Sequence, residues 1–168
     1  MEQQPTTRPE TAAFGFLTVV DSATHGLFGG YLLVDPLGRP LEFHCTAPVK
    51  VSRAQQILYG TTLHGHLHGQ QIGGTLLAGA GLQPDVVLTD VESMLQVRPH
   101  TQLPVVLVAT AMDASVGTAV GQASVQPHAA DAPRQDELMA RIRELAAAID
   151  IREPFERIRA AIDEAQRH

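Results

Sequence analysis

Three histidines at alternate positions, His64, His66 and His68, form the densest group of chemically able side chains in the sequence. On a helix, His64 and His68 share a face at the four-residue separation used by helical zinc ligands, and imidazole nitrogen suits that metal. His44 and Cys45 offer a further nitrogen and a sulfur. Adjacent strand residues point to opposite faces, so at most one of the two can join. No glutamate follows a histidine in the HExxH manner, which leaves a metalloprotease without its general base. The cluster supports a small zinc-dependent hydrolase as one reading, with His64, His66 and His68 as ligands. The plainer reading has solvent-facing histidines and no cofactor.

Cys45 as a nucleophile needs a base within reach and a cationic or dipolar setting that lowers its pKa. Histidines are available, but Cys45 alternates with Leu41 and Phe43, which makes it most simply a small core residue. Ser22 and Ser52 lack a nucleophile elbow. His25 to Gly30, HGLFGG, is glycine-rich without the GxGxxG or Walker spacing that cradles phosphates, so it reads as a turn. No catalytic set converges.

The elements that must position these residues begin with strands. Phe14 to Asp21 reads as a strand with Gly15 marking a bulge. Ser22 to Gly29 reads as a loop and Gly30 to Asp35 as the next strand. Asp35-Pro36-Leu37-Gly38 has turn chemistry, and Arg39 to Cys45 returns antiparallel. This is a three-stranded meander. Ser52-Arg53-Ala54-Gln55 is a capping box, opening a helix with Ala54, Ile57 and Leu58 as its apolar stripe. A second helix over about Thr62 to Leu77 carries Gly65, Gly69 and Gly73 at four-residue intervals. Each glycine costs about 0.8 to 1 kcal/mol relative to Ala, so that side is read as a tight packing face.

Asp85 to Leu88 is a short apolar strand, and Thr89-Asp90-Val91-Glu92 is a second capping box opening a short helix to about Arg98. Val105 to Ala111 is an unbroken apolar run, the mark of a strand buried on both faces. Strand, helix, strand makes a βαβ unit with parallel strands. PDVVLTD and the later PVVLVATA resemble the phosphoacceptor and threonine strands of response-regulator receiver domains, with Asp90 and Thr110 in the matching places. That resemblance implies phosphotransfer at Asp90. The chain departs from the family in lacking an acidic pair for magnesium, the Met-Pro after the aspartate and the lysine beyond the threonine strand, Lys50 lying upstream. Asp90 is therefore read as a carboxylate favoured by a helix N-terminus.

Met112 to Val125 is built of small residues and fits either an edge strand or a loop. Residues 127–134 read as a linker. Beyond it, Leu138, Ile142, Leu145 and Ile149 are spaced four, three, four, as are Ile151, Phe155, Ile158 and Ile162, the seam of a coiled coil or helical hairpin. About two heptads apiece cannot be stable alone. Pro154 fits the first turn of the second helix. Glu137 with Arg141, and Glu153 with Arg157, stand four apart in the favourable order.

These elements predict an α+β fold: the meander and the βαβ unit in one mixed sheet covered by helices, with a C-terminal helical tail. The expected organisation is a disordered segment at 1–12, the domain at 13–126, the linker at 127–134 and amphipathic helices at 135–168. A chain of 168 residues suits one sizeable core, built from Leu, Val, Ile and Ala, since aromatics are 4% and Trp is absent. The net charge of −6 argues against a nucleic-acid binder, because such binders neutralise phosphates. No long apolar run spans a membrane, the polar start does not resemble a signal peptide, and the single cysteine fits a reducing cytoplasm.

The favoured function is a non-catalytic interaction or assembly subunit. It docks a protein partner or another copy through Leu138, Ile142, Leu145, Ile149, Phe155, Ile158 and Ile162. The zinc hydrolase and a small-ligand sensor using the meander are the alternatives.

Overall fold

The computed structural model describes residues 12–22, 24–110 and 117–167. The N-terminal segment expected to be disordered lies outside them apart from Ala12. One mixed sheet of seven strands runs β1 (Phe14–Ser22), β2 (Gly26–Val34), β3 (Pro40–Cys45), β4 (Val86–Thr89), β5 (Val105–Thr110), β6 (Thr118–Val120) and β7 (Ala123–Pro127). Their order across the sheet is β3-β2-β1-β4-β5-β7-β6. The antiparallel meander β3-β2-β1 forms, and β4 lies parallel to both β1 and β5. The α+β architecture read from the sequence is therefore the one adopted.

β2 starts earlier than expected, because HGLFGG is strand rather than turn. Gly15 pairs with Leu33 in unbroken register, and the one irregularity in the meander falls between Leu33 and Val34. Of the small-residue stretch, residues 112–116 lie outside the described residues, and the rest forms the β6–β7 hairpin, turning at Gly121 with a positive φ of 59°.

Helices cover both faces. On one, a π-helical segment over Gly65–Gly73 packs with a 3₁₀ segment over Glu92–His100 and runs into α2 (Gly74–Gly79). The glycine side is the contact, as the spacing predicts. A Cβ on Gly69 would come within 2.6 Å of the Gln96 carbonyl carbon and 2.8 Å of the Val97 nitrogen. α1 (Arg53–Tyr59) precedes this layer and buries none of its residues. On the other face lie α3 (Gln135–Ala146) and α4 (Glu153–Gln166), which complete a core with Phe16, Leu32, Leu88 and Val108. Phe155 meets Phe16 edge-on, with ring centroids 5.2 Å apart.

Gly29 and Gly30 let both layers approach β2. A Cβ on Gly29 would strike Ile72, and one on Gly30 would fall 2.2 Å from the Ile158 Cγ2.

The segment expected to be a linker is docked structure. Residues Ala129–Arg134 form a 3₁₀ turn whose Asp131, 1% exposed, accepts from Arg98 Nε at 3.0 Å and from the Val105 amide at 3.1 Å. A buried carboxylate held by a guanidinium and an amide ties this turn to the start of β5.

Candidate functional site

The structure does not bring the three histidines together. The π-helical winding turns the His66 ring onto Tyr59, stacked at 4.5 Å, with Nδ1 3.2 Å from Gln70 Oε1. His64 and His68 face each other at 5.3 Å, but His68 Nδ1 is 2.6 Å from the Ser93 hydroxyl and the ring is buried. Burial, then the neighbouring His64, hold His68 below the ordinary imidazole range against the opposing pull of Asp21. Among the described residues no group of three His, Cys, Asp or Glu side chains is placed to hold a metal ion. The zinc reading thereby loses its ligand set.

The C-terminal seam is also elsewhere than expected. Leu138, Ile142, Leu145, Phe155, Ile158 and Ile162 are 0–2% exposed against this chain's own sheet, and Ile149 is partly buried beside them. Assigning these seven residues to a partner is corrected: they are core. The physical reason is the open sheet face, whose Gly30 leaves room for Ile158 and Ile162 to settle.

Asp90 leaves β4 toward the α4 side. Its Oδ1 accepts from the buried Thr18 hydroxyl at 2.6 Å, and its Oδ2 pairs with Arg159 on α4. The second capping box does not form; Thr89 Oγ1 instead accepts from the Val91 amide at 3.2 Å. Asp90 and Thr110 do end adjacent parallel strands and share the rim of a cleft of about 1050 Å³ with Arg152 and Phe155. A carboxylate already held by a hydroxyl and a guanidinium serves as a tether between β4 and α4 rather than as a nucleophile. Arg152 likewise answers Asp150 at 2.8 Å.

What the folded domain leaves uncovered is β3 and α1. β3 is an edge strand. Its apolar alternation faces outward: Leu41 and Phe43 are each 41% exposed, and Cys45 is an exposed free thiol, not the core residue expected. Glu42 and His44 take the opposite face. Glu42 accepts from the Gly81 and Leu82 amides at 2.8 and 2.7 Å and from His44 Nε2 at 2.6 Å. Burial alone would push the Glu42 carboxyl up, but these hydrogen bonds outweigh it and hold the group below the usual carboxylate range. Polar residues thus face the α2 end, while the apolar set lies on the α4 side.

The Ser52 capping box of α1 does form, with Gln55 N to Ser52 Oγ at 3.1 Å and Ser52 N to Gln55 Oε1 at 3.0 Å. Yet Ile57 and Leu58 are 66% and 83% exposed. No family model matches the chain, and no curated protein matches it. Sequence reasoning placed the apolar residues of β3 and α1 inside. The overlooked signal was the brevity of both elements, six and seven residues.

Among the described residues no helix is long and apolar enough to cross a membrane.

Proposed function

We propose that this chain is a non-catalytic assembly module that pairs with a second copy of itself along the β3 edge. The interaction reading is kept, but its surface moves from the C-terminal helices to β3, with α1 as a further exposed apolar element. The observation that carries it is the apolar row Leu41, Phe43 and Cys45 on an unpaired edge.

The row is self-complementary. The Thr46 amide bonds to Gly29 of β2, so by alternation the backbone groups of Phe43 and Cys45 point away from the sheet, while the irregularity opposite Leu33 and Val34 interrupts the alternation at Leu41. A twofold antiparallel pairing centred on Phe43 sets Phe43 against its own copy and Leu41 against Cys45, with the outward amide and carbonyl of Phe43 matched to those of its copy. On the other face it places Glu42 opposite His44 of the second copy, and vice versa. Opposite charges across such a pair stabilise by roughly 0.2–1 kcal/mol, whereas like charges destabilise. A stable interface needs upward of about 1,000 Å², more than six residues of edge supply, and Leu37, Ile57, Leu58 and Tyr59 are the other exposed large apolar side chains among the described residues.

Light scattering on the full chain tests this. The expected result is twice the monomer mass for the native protein and the monomer mass for Phe43→Lys, with both melting alike. A native protein that stays monomeric at the highest concentration reached would overturn the proposal.

A further inference from the structure

We infer that the Ser93 hydroxyl is a covalent acceptor for acyl groups from neutral activated esters, with His68 as the base that removes its proton. The two side chains stand 2.6 Å apart, Ser93 Oγ to His68 Nδ1. His68 is 9% exposed and Ser93 only partly buried, so the base is shielded while the hydroxyl stays within reach of a reagent.

Packing brings the pair together. His68 belongs to the π-helical segment and Ser93 to the 3₁₀ segment, and the glycine face draws the two close. A Cβ on Gly73 would stand 2.8 Å from the sulfur of Met94, the neighbour of Ser93, just as one on Gly69 would strike Gln96. Side chains at those positions would part the segments and with them the hydroxyl and the ring.

The surroundings suit transfer as well as they suit a satisfied histidine. Burial and His64 keep the imidazole neutral at physiological pH, so Nδ1 can take the hydroxyl proton. The Asp21 carboxylate acts on the ring in the opposite sense and favours the imidazolium that forms as the proton arrives. Ser93 is the second residue of its helix, where backbone amides have no intrahelical partner. The Met94 amide is taken by the Val91 carbonyl at 3.0 Å, which leaves those of Glu92 and Ser93 for the oxygen of an attacked carbonyl. Asp21, and Glu92 beside Ser93, disfavour an anionic donor such as an acyl phosphate, which narrows the class to neutral esters.

The step balances without a further reactant. Ser93 Oγ bonds to the ester carbonyl carbon, and the bond from that carbon to the leaving oxygen breaks. The proton held on Nδ1 then passes to the leaving oxygen. One ester per chain forms without turnover, so the inference goes beyond the assembly reading and does not oppose it.

The test incubates the full chain with p-nitrophenyl acetate and reads intact and peptide masses. One acetyl group is expected on Ser93, absent from Ser93→Ala. His68→Gln is expected to slow labelling at Ser93 by about 100-fold or more, the usual share of a general base. In the native protein the rate at Ser93 is expected to be level above about pH 6.5 and to fall below it as His68 takes up its proton. That profile decides the matter even if His68→Gln does not fold. No acetyl on Ser93, a cooperatively melting His68→Gln chain that labels Ser93 at the native rate, or a native rate that climbs in proportion to hydroxide would each overturn the inference. The dimer experiment reads the mass of the assembly and this one the mass of a single chain, so either can fail alone.

Discussion

α4 hides Phe155, Ile158 and Ile162 at 1%, 0% and 2% exposure, whereas α1 leaves Ile57 at 66% and Leu58 at 83%. Both helices start well: Pro154 occupies the first turn of α4, and a reciprocal cap opens α1. What separates them is the surface each one meets. α4 lies over a sheet face that Gly30 has opened for it and is fastened at its sides. Arg157 donates to the Gly38 carbonyl at 2.6 Å, and Arg159 pairs with Asp90. α1 has no such floor and no such ties. An apolar stripe states that a helix needs cover; whether the cover comes from its own chain depends on a complementary cavity elsewhere in the sequence.

The contrast breaks most severely if α3 and α4 are removed. A chain ending at Arg134 would uncover one whole face of the sheet and lose the burial of eight apolar side chains, Leu138, Met139, Ile142, Leu145, Ile151, Phe155, Ile158 and Ile162. At roughly 1.5–3 kcal/mol each, about 12–24 kcal/mol together, that matches or exceeds the 5–15 kcal/mol that about spans the net stability of a domain. The expected outcome is loss of cooperative unfolding and of near-ultraviolet circular dichroism. A truncated chain that melts cooperatively would restore the detachable tail.

Single changes within that layer come next. Phe155→Ala removes the ring that meets Phe16 and is expected to cost about 3–5 kcal/mol in urea denaturation. Gly30→Ala tests the floor from the other side. Its Cβ would collide with the Ile158 side chain, and overpacking of this kind costs about 1–3 kcal/mol. If Gly30→Ala were neutral, α4 would be shown to ride over β2 more loosely than its contacts imply.

These residues also measure how far the fold could be read from the sequence. The meander, the parallel β4 and β5, the Ser52 cap and the glycine packing face were all legible, because each rests on local spacing or turn chemistry. The Glu153–Arg157 pair forms as its spacing predicts, while Glu137 turns to Arg134 instead of Arg141. Long-range partners decided the rest. The 127–134 turn looks like a linker until Arg98 claims Asp131, and Asp90 looks like a helix cap until Thr18 and Arg159 claim it. For the candidate site the alternation of Leu41, Phe43 and Cys45 was plain, but alternation gives a face and not its direction. Only the strand order, which places β3 at the edge, shows that no described strand pairs with its outer side.

A smaller effect follows from the burial of His68. His68 is held below the ordinary imidazole range, so as the pH falls below about 6.5 the unfolded chain takes up the proton first. The stability tied to the neutral ring is fully present above that pH and is lost as the pH falls toward the depressed folded value. Urea midpoints are expected to decline as the pH falls below about 6.5, and His68→Gln should flatten that decline. A decline undiminished in His68→Gln would place its source elsewhere.

The smallest expected effect on folding is the one that most sharpens the comparison of α1 with α4. Leu58→Ala makes the same kind of truncation as Phe155→Ala, at a position already facing water. Alanine is at least as good a helix former as leucine, so propensity does not confound the result. Urea denaturation of the dilute protein is expected to shift by no more than about 0.5 kcal/mol, the range for surface changes away from special features. Sedimentation at higher concentration should nevertheless show weaker self-association if, as proposed, exposed α1 adds to the area buried in the dimer. If Leu58→Ala instead cost a core-like 2 kcal/mol or more, of the order seen for Leu→Ala in packed interiors, α1 would be covered within its own chain. The difference between the two helices would then vanish.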